Sequence, residues 1–193
     1  MRILLLALLS TPALAAEPDE TVRAETFVPR PVAGHEVFEL RSGLSTVGPA
    51  DHPYLCGELR PLKRFSIEAC GNGSGWLHQA PIADMAHFRG RGAVWQKTEE
   101  RWQGSALVGL GLAEVQRTSD RPGFVLGDEG EGAVEAAGPE VSISGQGRYW
   151  LDERAYAVVD ANVGVAYMKG APSVIGKGGP VVPFLLVTAG VGF

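Results

Sequence analysis

Apolar and polar residues alternate along much of the chain, most clearly in its last stretch, residues 183 to 193. Successive side chains of a β-strand point to opposite faces, so alternation by twos is typical of a strand with two different faces. Read by twos back from the end, one row is entirely apolar: Leu185, Val187, Ala189, Val191 and Phe193. The pattern predicts a closing strand that ends on an aromatic residue.

The same alternation predicts seven earlier strands. The first four are expected at about 35–45, 54–61, 65–77 and 84–97, and the next three begin near Trp102, Glu140 and Ala157. The short connections lie at Lys63, at 98–100 and at 152–153; the longer ones include Arg117 to about Gly138 and a Gly/Pro/Ser loop at 170–179. Eight alternating strands predict an all-β, antiparallel, up-and-down barrel with both termini on the short-turn side.

The first fifteen residues have the features of a secretory signal peptide: Arg2, an apolar run at 3–9, and Ala13-Leu14-Ala15 before a cleavage point. Residues 16–34 are expected to form a flexible leader, and residues 35–193 the barrel. The chain has 22 Asp and Glu against 17 Lys and Arg, without a basic run, so no nucleic-acid partner is expected. The sequence also lacks cofactor and metal motifs.

A hairpin that turns about Lys63 gives a test of strand register. It places Leu59 opposite Ile67, both apolar, and Cys56 opposite Cys70 on the other face. Two cysteines in an exported chain have one possible pairing. The register and the cysteine count therefore both predict a disulfide between Cys56 and Cys70.

The same register sets Glu58 against Glu68, which is unfavourable unless a cation lies nearby. If strand three runs to residue 77 and then folds back onto strand four, Arg91 comes opposite Cys70 and one diagonal step from Glu68. We therefore expect Arg91 to compensate the two carboxylates.

With its signal peptide, its eight alternating strands and its terminal row, the chain resembles the small eight-stranded outer-membrane β-barrel proteins of Gram-negative bacteria, of OmpA/OmpX-like architecture. The resemblance implies a location in the cell outer membrane, short periplasmic turns and longer external loops. It implies that apolar rows contact membrane lipid, and that the barrel-insertion machinery reads a row formed by Val187, Ala189, Val191 and Phe193. Alternation alone also fits a soluble periplasmic β-barrel that binds a small apolar ligand in its core.

In the membrane interpretation, eight charged residues lie inside the barrel: Glu39, Arg41, Glu58, Glu68, Arg89, Arg91, Arg148 and Asp160. An eight-stranded barrel is just wide enough to be filled by side chains, so we expect a paired plug rather than a porin-like conduit or gate. The expected function is non-enzymatic: the external loops, chiefly residues 117–138, act in surface contact or envelope integrity through an unidentified surface ligand.

A lipid A-modifying barrel enzyme is the alternative function. The predicted register of strands three and four sets Ser74 opposite His87 near the outer rim, with Asp51 or Asp84 as a possible acid. The chain lacks the His-x-Ser-Asn pattern of the lipid A deacylase barrels, and both residues point inward. Catalysis is therefore not expected, and Ser74 and His87 are the candidates if it occurs.

Overall fold

The first and last strands pair with each other and close the sheet into a barrel. The computed structural model describes residues 38–48, 53–73, 83–117 and 134–193. The strands in these residues are β1 (Phe38–Ser45), β2 (Tyr54–Leu62), β3 (Phe65–Gly71), β4 (Asp84–Glu99), β5 (Trp102–Gln116), β6 (Glu135–Trp150), β7 (Tyr156–Tyr167) and β8 (Val181–Gly192). Each pairs antiparallel with the next, and β8 pairs with β1. The predicted all-β, eight-stranded, up-and-down barrel is confirmed, whereas the predicted signal peptide and leader lie outside the described residues.

Short turns join the strands at one end of the barrel, at 63–64, 100–101 and 151–155, and longer connections join them at the other. The last short turn is held by Asp152, whose Oδ1 accepts hydrogen bonds from the backbone N–H groups of Arg154 and Ala155, both at 2.7 Å. These bonds lower the pKa of Asp152. Phe38 and Phe193 exchange backbone hydrogen bonds of 3.0 Å at the same end, so the barrel begins and ends on the short-turn side, as predicted.

A short helix, α1 (Ala171–Ile175), lies in the connection between β7 and β8, where only a loop was predicted. Pro172 lies in its first turn, and Gly176 ends it in the left-handed conformation that glycine adopts readily. Five residues are too few to give a helical period in the sequence. Ala171 and Val174 bury the helix against the loop end of the barrel. Within the described ranges, no helix is long and apolar enough to cross a membrane.

Three consecutive strands are longer than the other five. β4, β5 and β6 have 16, 15 and 16 residues. β6 begins at Glu135, which pairs with Gln116 at the end of β5, inside a stretch that was predicted to be irregular up to Gly138. Residues 135–139, Glu-Ala-Ala-Gly-Pro, have little intrinsic strand preference. Pairing with β5 therefore extends the strand beyond what its local sequence favours.

The predicted register of β2 and β3 is confirmed, since Cys56 pairs with Cys70. The predicted register of β3 and β4 is wrong by four residues (91 − 87), because Cys70 pairs with His87 and not with Arg91. His87, which was expected opposite Ser74, is thus paired with Cys70. Ser74 lies outside the described residues. An even shift leaves every side chain on its predicted face.

The error in this register comes from the end of β3. The apparent alternation continues to residue 77, but the strand ends at Gly71, and Gly73 has a φ of 82° that is incompatible with an extended strand. In the observed register Arg89 lies opposite Glu68, and Arg91 lies opposite Ser66. Two cations thus flank Glu68 where one was expected.

Two glycines allow β1 and β8 to approach each other closely where the barrel closes. A Cβ on Gly43 would lie 1.9 Å from the carbonyl oxygen of Val187, and a Cβ on Gly190 would lie 2.0 Å from that of Leu40. Backbone atoms cannot rotate away as a side chain can. Both positions therefore exclude any side chain.

We expect Gly190→Ala to destabilise the barrel, because its methyl group would push β1 away from β8. Overpacking of this kind costs about 1–3 kcal/mol of the free energy of unfolding, and a clash with backbone lies at the upper end. The measurement is urea unfolding of the refolded protein. Gly145→Ala is the matched control, because a Cβ at Gly145 meets nothing within 4 Å. Equal stability of the two variants would contradict the argument.

Candidate functional site

The rows that carry the charged residues face the barrel interior, and the rows of exposed apolar residues face outward. On β8 the inward Phe184 and Thr188 are each 2 % exposed, whereas the outward Val187 and Val191 are 51 % and 48 % exposed. The row predicted to act as an insertion signal, Val187, Ala189, Val191 and Phe193, is exposed along its whole length. Its recognition by insertion machinery stays a prediction.

The eight charged residues predicted inside the barrel are all buried there, none more than 2 % exposed: Glu39, Arg41, Glu58, Glu68, Arg89, Arg91, Arg148 and Asp160. Glu68 is at their centre. Its Oε1 accepts a hydrogen bond from Arg89 Nε at 2.6 Å, and its Oε2 accepts one from Arg91 Nη1 at 2.5 Å. Arg41 Nη2 donates a third. One fully buried carboxylate therefore compensates three guanidinium groups.

Side chains from opposite walls meet inside the barrel. Gln146 on β6 donates to Glu58 on β2 at 3.3 Å, across the barrel from a strand four positions away. Arg91 on β4 donates to Asp160 on β7, three strands away, and also bonds Glu58 at 2.9 Å. Since these contacts cross the lumen, the middle of the barrel is filled by protein.

The short-turn end of the interior is closed by a second group of contacts. Arg148 donates to Glu39 at 2.8 Å through Nε and to Gln103 at 2.7 Å through Nη1. The Tyr156 hydroxyl donates a hydrogen bond of 3.1 Å to Glu39, and the Tyr156 ring packs on Trp150 with 4.7 Å between ring centroids. Both ionic and aromatic contacts therefore fill the interior at the short-turn end.

Two charged residues of the interior were missed by the prediction, Arg60 and Glu140. Arg60 Nη2 lies 2.8 Å from Glu58 Oε1, and Glu140 Oε1 lies 3.5 Å from Arg89 Nη1. With them the charge network contains five carboxylates and five guanidinium groups: Glu39, Glu58, Glu68, Glu140 and Asp160, with Arg41, Arg60, Arg89, Arg91 and Arg148. Both missed residues stand on the polar rows of their strands, which was the signal that could have identified them.

His87 contacts an acid rather than a nucleophile. Its Nδ1 lies 2.5 Å from Glu140 Oε2, in the interior near the loop end. Of the other residues proposed for catalysis, Ser74 and Asp51 lie outside the described residues. Asp84 is three residues before His87 on the same strand, so the two point to opposite faces. The described residues bring no nucleophile, base and acid together around His87.

The predicted disulfide is confirmed: Cys56 and Cys70 are bonded, with their Cα atoms 4.1 Å apart. Both sulfurs lie inside the barrel, beside Tyr54 and Leu186. A carboxylate oxygen of Glu68 lies within 4.8 Å of both sulfurs, a spacing that would suit metal ligands. Because the two sulfurs are bonded to each other, they are not available as thiolate ligands.

Above the charge network, at the loop end, the interior becomes apolar. Its residues come from β4 to β8 and from α1: Met85, Ala113, Val115, Ala136, Ala166, Met168, Ala171, Val174, Val182 and Phe184. All are buried to 6 % exposure or less. The helix therefore covers an apolar layer that closes the barrel from the loop side.

Comparison of the chain with family models, with curated proteins and with solved structures gives no significant match. A proposal for its function must therefore come from the barrel's own surfaces and interior.

We expect Glu68→Gln to lower the free energy of unfolding by about 3–5 kcal/mol, because it leaves three buried guanidinium groups without their shared carboxylate. Urea unfolding measures the change. Glu99→Gln is the control for loss of a carboxylate: Glu99 pairs with Lys97 at 2.5 Å, but both side chains are more than 60 % exposed. Its removal should change stability by less than about 0.5 kcal/mol.

A double variant separates charge compensation from simple packing. Glu68→Gln combined with Arg89→Gln removes one charge of each sign and should lose less stability than the two single variants added together. Wild-type stability in Glu68→Gln, or strict additivity in the double variant, would contradict a network that depends on mutual compensation.

Proposed function

We propose that the protein is an outer-membrane β-barrel whose apolar exterior contacts lipid, and which acts through its external loops in surface contact or envelope integrity. The observation that carries the proposal is the inversion of the barrel. Paired charges fill its interior, and large apolar side chains cover its outside, including Leu40 at 53 %, Leu110 at 65 % and Ile143 at 61 % exposure. In water such a surface would be strongly unfavourable, whereas in a lipid bilayer it is the surface required.

The height of the apolar surface matches a bilayer. On β5 the outward row runs from Trp102 to Leu112, ten residue steps along the strand (112 − 102), and the next two residues of the same row are polar and buried, Glu114 at 3 % and Gln116 at 6 % exposure. Ten steps of about 3.3 Å, tilted by about 40°, give about 25 Å along the barrel axis. This is the height of the apolar band of outer-membrane barrels, about 25 Å.

Aromatic residues at the short-turn end support the same placement. Trp102 is 60 % exposed and packs against Tyr149 of the neighbouring strand, with 4.8 Å between ring centroids. Phe38 and Phe193 make a similar pair on the β1 side, at 6.0 Å. Trp and Tyr are favoured where a bilayer meets water, because their rings have a polar edge, and outer-membrane barrels carry girdles of aromatic residues at both interfaces.

The filled interior favours a structural or binding role over transport. A conducting pore of this width would require side chains to leave the charge network, and each buried ion that lost its partner would cost several kcal/mol. In this proposal the outer surface of the barrel contacts membrane lipid and has no further role. Function is therefore assigned to the connections at the loop end, of which the longest joins β5 to β6.

Fractionation of expressing cells tests the membrane placement. We expect the full chain in the outer-membrane fraction, and we expect its electrophoretic mobility to change on boiling, because a closed barrel resists detergent until it is heated. Recovery from the soluble periplasm would contradict the proposal and would favour the soluble-barrel alternative.

The role of the loops is tested by replacing residues 118–133 with a short Gly-Ser linker in cells that lack the wild-type gene. The variant should keep its location and its heat-dependent mobility, which controls for folding. It should fail to restore exclusion of a hydrophobic dye, or attachment to surfaces, where the full chain restores it. Full restoration by the shortened variant would assign the function elsewhere in the molecule.

A further inference from the structure

The disulfide between Cys56 and Cys70 is enclosed inside the barrel. Cys56 is 1 % and Cys70 6 % exposed, and both stand on inward rows, of β2 and β3. On the loop side of the bond, both residues pack against Tyr54 and Leu186, which are themselves 2 % and 1 % exposed. On the short-turn side, a carboxylate oxygen of Glu68 lies within 4.8 Å of both sulfurs. Protein therefore surrounds the bond along the lumen as well as across it.

Formation of a disulfide by exchange requires access to a sulfur. A cysteine thiolate attacks a sulfur of the oxidant's disulfide, and the reaction passes through a mixed disulfide in which the oxidant is covalently attached to the protein. Neither Cys56 nor Cys70 of the closed barrel is exposed enough to carry a second molecule. Exchange at this pair therefore requires a chain whose barrel is open.

The geometry of the bond needs only two strands. Cys56 and Cys70 are 14 residues apart in sequence and stand directly opposite each other in the hairpin that β2 and β3 form around the turn at 63–64. Loops of about ten residues close within about 10–100 ns in an open chain. The two cysteines can therefore meet, with both sulfurs in solvent, before any other strand has paired.

The same hairpin contains an unfavourable pair of acids. Glu58 stands opposite Glu68, two residues from the cysteines on the same face. Arg60 of β2 lies 2.8 Å from Glu58, but the three guanidinium groups that contact Glu68 belong to residues of β1 and β4. Before those strands pair, the two opposed carboxylates disfavour the register of the hairpin. A covalent bond two residues away fixes that register until β1 and β4 supply their arginines.

We propose that Cys56 and Cys70 are oxidised while the chain is open, and that the barrel then forms around a cross-linked β2–β3 hairpin. The oxidant carries an exchangeable disulfide. One cysteine thiolate attacks it, forms the mixed disulfide and releases a first thiolate; the second cysteine attacks the mixed disulfide and releases the other. Two electrons pass from the cysteines to the oxidant, which leaves as two thiols and takes up the two protons that the cysteines lose.

This role of the disulfide is independent of the function assigned to the loops. It places a thiol-oxidising reaction before barrel closure, and it assigns the bond to assembly rather than to redox regulation. A bond enclosed in the closed barrel does not exchange with reductants, because they reach neither sulfur.

Exchange rates in the folded and the unfolded chain test this order of events. The oxidised full chain is folded in zwitterionic micelles and treated with dithiothreitol, and its free thiols are then counted with a maleimide in SDS. We expect reduction to be at least about a hundredfold slower than in urea, because the barrel must open before the sulfurs are reached. The reduced chain, folded in the same micelles, should be oxidised by glutathione disulfide as slowly.

Each outcome of this experiment decides the order. Exchange in the folded barrel at the rate of the unfolded chain, in either direction, would overturn the proposal. A reduced chain that does not fold would support it, since closure would then require the bond to be present beforehand.

Folding rates test the role of the hairpin. Folding is followed through the appearance of the heat-dependent mobility of the closed barrel after dilution from urea into micelles. We expect the reduced chain to fold about tenfold more slowly than the oxidised chain. Glu58→Gln should speed folding of the reduced chain by about two- to fivefold, because it removes the repulsion from Glu68. It should change the folding rate of the oxidised chain less, since the disulfide already fixes the register.

Asp160→Asn is the matched control in the reduced chain. Asp160 is a buried carboxylate of the same charge network, in contact with Arg91, but it lies on β7 and outside the hairpin. Its replacement should not speed folding. Equal folding rates of the oxidised and reduced chains, equal acceleration by both substitutions, or no acceleration by Glu58→Gln would each overturn the role of the hairpin.

Discussion

Every charge placed inside this barrel must find a partner there, and the rest of the structure follows from that constraint. Removing a carboxylate or guanidinium from water costs several kcal/mol unless opposite charges and hydrogen bonds replace the solvent. The charge network meets this condition with equal numbers of the two groups, and Glu68 alone contacts Arg41, Arg89 and Arg91. Strand register is therefore constrained from within: a slip by one residue would turn these charges outward, and a slip by two would separate the pairs.

The inverted arrangement of faces links the network to the proposed function. The barrel holds its charge network inside and exposes many large apolar side chains on its outer rows, and such rows are more stable against lipid than against water. The lumen is then occupied by contacts between opposite walls, such as that of Gln146 with Glu58. Neither the interior nor the wall is free to bind a soluble partner. What remains is the loop end, where α1 closes the apolar layer and a cavity of about 590 Å³ opens beside it.

Much of the fold follows from alternation by twos, because each strand has two different faces. The strand number, the order of short and long connections and the pairing of Cys56 with Cys70 could all be predicted in this way. The register of β3 and β4 could not, since alternation continues through glycines beyond Gly71 and does not mark the strand end. The start of β6 at Glu135 depends on pairing with β5, which local preference does not reveal.

The interior was predictable as a set of residues but not as a set of contacts. Face assignment identifies Glu68 and Arg91 as inward, yet the partners of each depend on how strands distant in sequence are placed around the barrel. Glu140 shows the difference: it stood on a polar row, but only the closed barrel brings it within 2.5 Å of His87. The cavity at the loop end left no pattern in the sequence, because four separate segments form it.

The central claim is that Trp102 faces lipid while Trp150 faces the charged interior, at 60 % and 1 % exposure respectively. It is tested most directly by fluorescence of two variants that each retain one of these tryptophans, with the other three of the four replaced by Phe, in vesicles of lipids brominated on their acyl chains. The inverted barrel predicts strong quenching of Trp102 and little quenching of Trp150. Equal quenching of both, or quenching of neither in the folded protein, would contradict it.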